Sequence, residues 1–206
     1  MRVTGKAAEY VSPSDPPLLG TLFASPSFAW IWLVVRVFLG WQWLHAGWEK
    51  LHNPGWTQSG TALKGFWTSA VAVPATGKAP ITYEWYRAFL SGLLEGGHYT
   101  WFAKLIVFGE LAIGIALILG AFVGIAAFFG GFMNMNFMLA GSASTNPVLF
   151  TLAVLLILAW KVGGYWGLDR WLLQWIRTPW EWVDSRRVQP QPQPATPSQA
   201  SSPGVS

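Results

Sequence analysis

The sequence predicts an all-α integral membrane protein: a four-helix bundle with interfacial helices in the first loop and after the fourth span. Three observations carry this. Charged side chains make up 11% of the 206 residues and hydrophobic ones 52%, whereas soluble domains carry about 25% charge. So little charge cannot cover a water-facing surface. The apolar stretches are long enough to cross a hydrocarbon core of about 30 Å at about 1.5 Å per helical residue. Fifteen tryptophans gather near the ends of those stretches, where an apolar ring with one N–H donor favours the membrane boundary.

The elements follow in order. Residues 1–27 are mixed polar, with Pro13, Pro16, Pro17 and Pro26. They read as a flexible cytoplasmic leader, because they lack the charged-then-apolar order of a cleaved signal. The four-helix transmembrane domain is placed at 28–187. Its first span, 28–51, ends at Asn53-Pro54-Gly55, three residues that end helices. In the first loop, the amphipathic spacing of Trp85, Phe89 and Leu93 against Glu84, Arg87 and Ser91 predicts an interfacial helix over 82–94. The stretch around Phe66 and Trp67 is a second membrane-surface candidate. Residues 101–140 form one apolar block too long for one pass. Gly120 and Gly124 divide it into spans 101–119 and 121–140. The fourth span is 148–166. Aromatics alternating with charges over 165–184 predict another interfacial helix, and the Pro/Gln/Ser tail, 188–206, is too polar to bury a core. The positive-inside rule, applied to Arg2, Lys6, Arg170, Arg177, Arg186 and Arg187 against Lys64, Lys78 and Arg87, puts both termini in the cytoplasm.

Several chemistries are excluded early. Without cysteine there is no disulfide, iron–sulfur cluster or thiolate zinc site. A dispersed net charge of +4 suits anionic lipid heads rather than nucleic acid. No spacing resembles a metal site, and Gly120-(x3)-Gly124 lacks the strand-to-helix setting of a dinucleotide fingerprint. No metal or flavin is expected. A transporter would need a repeat with broken helices, and no repeat is evident.

Intramembrane charges are costly and demand partners. Arg36 lies eight residues after Phe28 and Glu110 ten before Gly120, which puts them about 12 and 15 Å from the cytoplasmic side by helical rise. Equal depth predicts a buried Arg36–Glu110 ion pair. Such a pair either fixes how two helices dock or holds a quinone headgroup, an anion or a proton. On the first helix Arg36, Gly40, Gly47 and Lys50 share one face, and Gln42, His45, Glu49 and His52 lie roughly opposite. His45 is either bonded to the first loop or a proton carrier. Asn134 and Asn136 lie near the depth of Gln42, and their spacing lets only one of them face the bundle core.

Arg36-(x3)-Gly40-(x6)-Gly47-(x2)-Lys50-Leu51 resembles the first helix of the DoxX/DoxD family of small bacterial and archaeal membrane proteins. Gly109-Glu110-Leu111-(x2)-Gly114, the later Leu119-Gly120, the glycine-rich helix ending in Asn134 and the closing Gly164-Tyr165-Trp166-Gly167-Leu168-Asp169-Arg170 resemble its later parts. The resemblance covers about residues 28–172. It implies a four-helix protein of a bacterial or archaeal plasma membrane. It also implies a link to the membrane subunit of thiosulfate:quinone oxidoreductase, with Arg36, Lys50 and Glu110 as the family's polar residues. Two functions are thus expected. One is a quinone-linked redox subunit in which Arg36 and Glu110 line the cavity while Lys50, His45, Gln42 and Asn134 contact substrate. The other is a scaffold that anchors a second subunit or redox partner protein.

Overall fold

The computed structural model describes residues 17–175. The tail, residues 176–184 of the last interfacial helix, and all the terminal cations used for orientation except Arg170 lie outside the described residues, as does the leader before Pro17. All regular elements among the described residues are helical: α1 (Pro17–Ala24), a 3₁₀ turn (Pro26–Phe28), α2 (Ala29–Leu51), α3 (Pro54–Thr57), α4 (Thr61–Val71), α5 (Glu84–Glu95), α6 (Tyr99–Leu119), α7 (Val123–Leu139), α8 (Asn146–Leu158), α9 (Trp160–Gly163) and α10 (Asp169–Trp175).

Two helical stretches are long and apolar enough to cross a membrane, Pro26–Leu51 and Tyr99–Leu119; α7 and α8 are apolar but shorter. The outward faces are apolar too. Trp30, Val34 and Trp41 on α2, Leu105, Phe108 and Ile115 on α6, and Ile125, Phe128 and Phe132 on α7 are all exposed. A helix in water turns a polar face outward; these turn out aromatics and branched aliphatics, as lipid-facing helices do.

Glycine brings α2 and α6 together. A Cβ at Gly40 would lie 3.0 Å from the Gly114 carbonyl, and one at Gly114 would lie 2.6 Å from the Leu44 nitrogen. The backbones therefore touch, which is how small residues bind membrane helices without a hydrophobic drive. The same contacts fix the register. Gly47 lies against Glu110 and Leu111, and Gly120 lies against the Arg36 guanidinium. Gly120 is level with Arg36 and not with Phe28, so α2 runs about two turns past the end of α6. At its other end α2 stops halfway along α6.

The first loop fills the space that α2 leaves. Leu63, Trp67, Ile81, Tyr86 and Leu90 bury themselves with Ala103 and Ile106 of α6 in a second core. The main core, around Leu39, Trp43, Leu117, Ala127 and Leu156, lies among α2, α6, α7 and α8. The predicted surface helix over 82–94 corresponds to α5, and the Phe66–Trp67 stretch to α4, a packed element with Trp67 buried.

Two expectations need correction. The leader is not loose throughout: α1 docks, because Leu22 and Phe23 pack on the main core and the Trp32 indole N–H donates to the Leu22 carbonyl at 2.8 Å. The fourth span is not one helix over 148–166. It breaks after Leu158, and α9 follows as a separate turn.

Candidate functional site: a cavity at the Lys50–Glu110 pair

The expected Arg36–Glu110 ion pair does not form. Glu110, 1% exposed, is bonded to Lys50, whose Nζ lies 2.9 and 2.8 Å from its two carboxylate oxygens. The physical reasons are register, which puts Gly47 and not Arg36 beside Glu110, and side-chain direction. Helical side chains lean toward the helix N-terminus. Lys50 therefore leans inward toward Glu110, and Arg36 leans away toward the far end of α6. There it finds carbonyls of the last helical turn, which lack the full set of intrahelical donors. Arg36 Nη1 donates to Leu117 O at 2.9 Å and Ile118 O at 3.3 Å, and Nη2 to Trp166 O at 3.4 Å.

Around Arg36 lies a buried knot rather than a ligand site. Gly120 adopts φ +70°, where glycine alone is unstrained. The turn it makes is bonded to the closing segment, Leu168 N–H to Leu119 O and Asp169 N–H to Gly120 O. Asp169 accepts from the N–H groups of Phe122 and Val123 and so caps α7. A carboxylate there meets both the free N–H groups and the positive end of the helix dipole. Burial pushes the Asp169 carboxyl above its usual range; the Val123 and Phe122 N–H bonds and the Arg36 charge pull it back. Of the expected catalytic pair, Arg36 thus belongs to the structure and Glu110 to the cavity.

That cavity, about 400 Å³, opens between α2, α6, α7 and the first residues of α8. Lys50, His45, Gln42, Asn134 and Glu110 all line it. Gln42, His45 and Glu49, expected opposite Lys50, form the rim on its α2 side; His45 lies 3.9 Å from Glu49, and both are exposed. Lys50 also sits 5.3 Å above the Trp56 ring. Its charge is thus held by Glu110 on one side and by an aromatic face on the other.

Asn134 is fully buried, yet neither its Nδ2 nor its Oδ1 has a partner. Trp43, 3% exposed, also lines the cavity, and its Nε1–H is unpartnered. A buried unpaired polar group costs about 1–3 kcal/mol, and Asn134 and Trp43 place two such groups at the cavity wall. Asn136 behaves differently. Its amide accepts from the Tyr86 hydroxyl at 3.2 Å and donates to Phe132 O at 2.8 Å. Burial pushes the Tyr86 phenol upward and keeps that donor neutral.

Sequence reasoning overlooked Trp43, Trp56 and Asp169. Trp43 could have been found from its place in mid-helix, far from the boundary where its N–H meets water. Among the described residues no three His, Asp or Glu side chains converge as metal ligands must. Comparison of the chain with protein-family models, with curated proteins and with solved structures found no match.

Proposed function

We propose that the chain is a DoxX-like protein of a bacterial or archaeal plasma membrane, crossing it four times with both termini in the cytoplasm. It serves as the membrane subunit of a quinone-linked redox system. The observation that carries the reading is the pair of orphaned groups, Asn134 and Trp43, beside the Lys50–Glu110 pair in one cavity. The donor set fits a quinone head. Quinone oxygens are acceptors, matched by the Trp43 N–H and the Asn134 amide, and Trp56, Phe66 and Phe137 give aromatic walls. The volume lies within the usual range for small-molecule sites.

Charge favours a neutral ligand. The cavity carries one cation, Lys50, and two carboxylates, Glu49 and Glu110. A dianion such as thiosulfate gains little there, because Glu110 already neutralises Lys50. The sulfur-compound reading therefore assigns thiosulfate to a partner rather than to this cavity. A quinone, when bound, supplies two-electron, two-proton redox chemistry. Asn134 and Trp43 orient its oxygens, the Lys50–Glu110 pair holds a proton beside them, and the aromatic walls flank its ring.

A second reading is a scaffold without catalysis of its own. Trp166, Trp171 and Trp175, exposed together at the α10 end, favour it, because tryptophan is enriched where proteins bind proteins. The two readings part in protein purified in native-lipid nanodiscs, with bound small molecules and stoichiometric partners identified by mass spectrometry. A quinone present in the wild type and lost in Asn134→Leu and Glu110→Gln supports the redox site. No quinone but a stoichiometric protein partner moves the function to the scaffold. A quinone retained equally by both variants removes it from this cavity.

A further inference from the structure

The polar cavity has an apolar neighbour. A second cavity, about 160 Å³, lies between α4–α5 on one side and α6–α7 on the other. Phe66 and Phe137 line both cavities. Their ring centroids are 6.2 Å apart, edge to face. The partition is therefore made of two side chains, both only partly buried. A side chain can change rotamer where backbone cannot move aside.

The second cavity is chemically the complement of the first. Its polar side chains, Tyr86 and Asn136, are already bonded to one another. Most of the rest of its wall is apolar, including Leu63, Leu90, Ile106 and Met133. The Trp67 indole N–H is its remaining polar handle, and an apolar void forfeits dispersion contacts on every side. Ala140, 4% exposed, is the small residue in its wall and leaves the room.

We infer that the two cavities are one site for a single amphiphilic ligand: a carbonyl-bearing ring seated at Asn134, Trp43 and the Lys50–Glu110 pair, with its aliphatic chain passing between Phe66 and Phe137 into the apolar cavity. This rests on the quinone reading of the polar cavity and adds the route of the chain. The chain enters the fold through the second core instead of lying in bilayer lipid. Chain-bearing ligands are thus distinguished from tail-less ones by α4 and α5, elements of the first loop.

The test uses the full-length protein in nanodiscs of defined, quinone-free lipid and two photoreactive probes. Both are decyl-benzoquinones, one with a diazirine at the head and one with it midway along the chain. Labelled residues are mapped by mass spectrometry. The head probe is expected on α2 and α7 near Trp43 and Asn134, and the chain probe on α4 and α5 near Leu63 and Leu90. Ala140→Phe fills the apolar cavity. It displaces the chain, so chain labels are expected to leave α4 and α5 while head labels stay at the polar cavity; burying two methylenes is worth about tenfold in affinity, so head labelling at subsaturating probe falls by about tenfold without changing its residues. Head labelling at the polar cavity with chain labels confined to lipid-facing residues such as Phe108 and Phe128 would overturn the inference and leave the quinone reading standing. Absence of head labelling at the polar cavity would overturn the quinone reading itself. Because the wild-type map decides by itself, poor folding of Ala140→Phe does not rescue the inference.

Discussion

Removing the Glu110 charge is the sharpest perturbation available. Glu110→Gln keeps the size of the side chain and leaves the Lys50 ammonium facing a neutral amide. Breaking a buried pair from one side costs about 3–5 kcal/mol. Lys50 retains 21% side-chain exposure, so its stranded charge keeps some hydration, and a loss of about 3 kcal/mol is expected for this variant. Lys50→Met strands a carboxylate that is 1% exposed and should cost more. The double variant strands nothing and should be more stable than the sum of the two losses allows, with a coupling of about 2–3 kcal/mol. Reversible unfolding in mixed micelles of mild detergent and dodecyl sulfate measures all four proteins. Losses that add within about 0.5 kcal/mol would refute the pairing. A control cycle uses Arg36→Met with Glu110→Gln. The Arg36 contacts on α6 start seven residues beyond Glu110, about 10 Å along the helix, so this cycle should be additive. Strong coupling in the control would mean that the helices meet in the other register.

Three further outcomes are expected. Gly120→Ala puts a methyl group on the Arg36 guanidinium and against Gly167, at a positive φ, and should cost about 3 kcal/mol or more; Gly65→Ala, with open space around it in α4, should gain about 0.5–1 kcal/mol in the same unfolding assay. Asp169→Ala leaves the Phe122 and Val123 N–H groups without an acceptor and should cost about 2–4 kcal/mol, of which Asp169→Asn recovers about half by keeping one oxygen; equal losses would deny the cap. Asn134→Leu removes two orphaned polar atoms and should raise stability by about 1–2 kcal/mol while abolishing quinone retention, and a variant that loses stability would show that Asn134 is paired after all.

Much of the architecture is readable from the sequence because its causes are local. Apolar length marks α2 and α6, Asn53-Pro54-Gly55 closes the first helix, and the spacing of Trp85 and Phe89 against Glu84 and Arg87 marks α5. Two residues apart on one helix, Asn134 and Asn136 must diverge, and in the structure one enters the cavity while the other bonds α5. The failure at the expected ion pair has one root. Counting depth from two helix ends assumes that the ends are level, and neither propensity nor hydropathy carries register. Register here is set by Gly40, Gly47 and Gly114, whose contacts are long-range, and it moved the partner of Glu110 from Arg36 to Lys50. The Arg36 knot was hidden for a related reason. Its acceptors are backbone carbonyls, which every residue owns and no sequence displays.

The offset of two turns between α2 and α6 has a consequence for how such a protein diversifies. Because α2 stops halfway along α6, the wall of the cavity at that level is completed by Trp56 and Phe66 of the first loop. The helix-to-helix contacts and this part of the cavity wall thereby lie in separate stretches of the chain. The glycine contacts and the Arg36 knot join the helices through residues outside the first loop. Replacement of residues 52–98 could therefore retune what enters the cavity while the membrane-embedded frame stays intact, as an exchangeable lock fits an unchanged door.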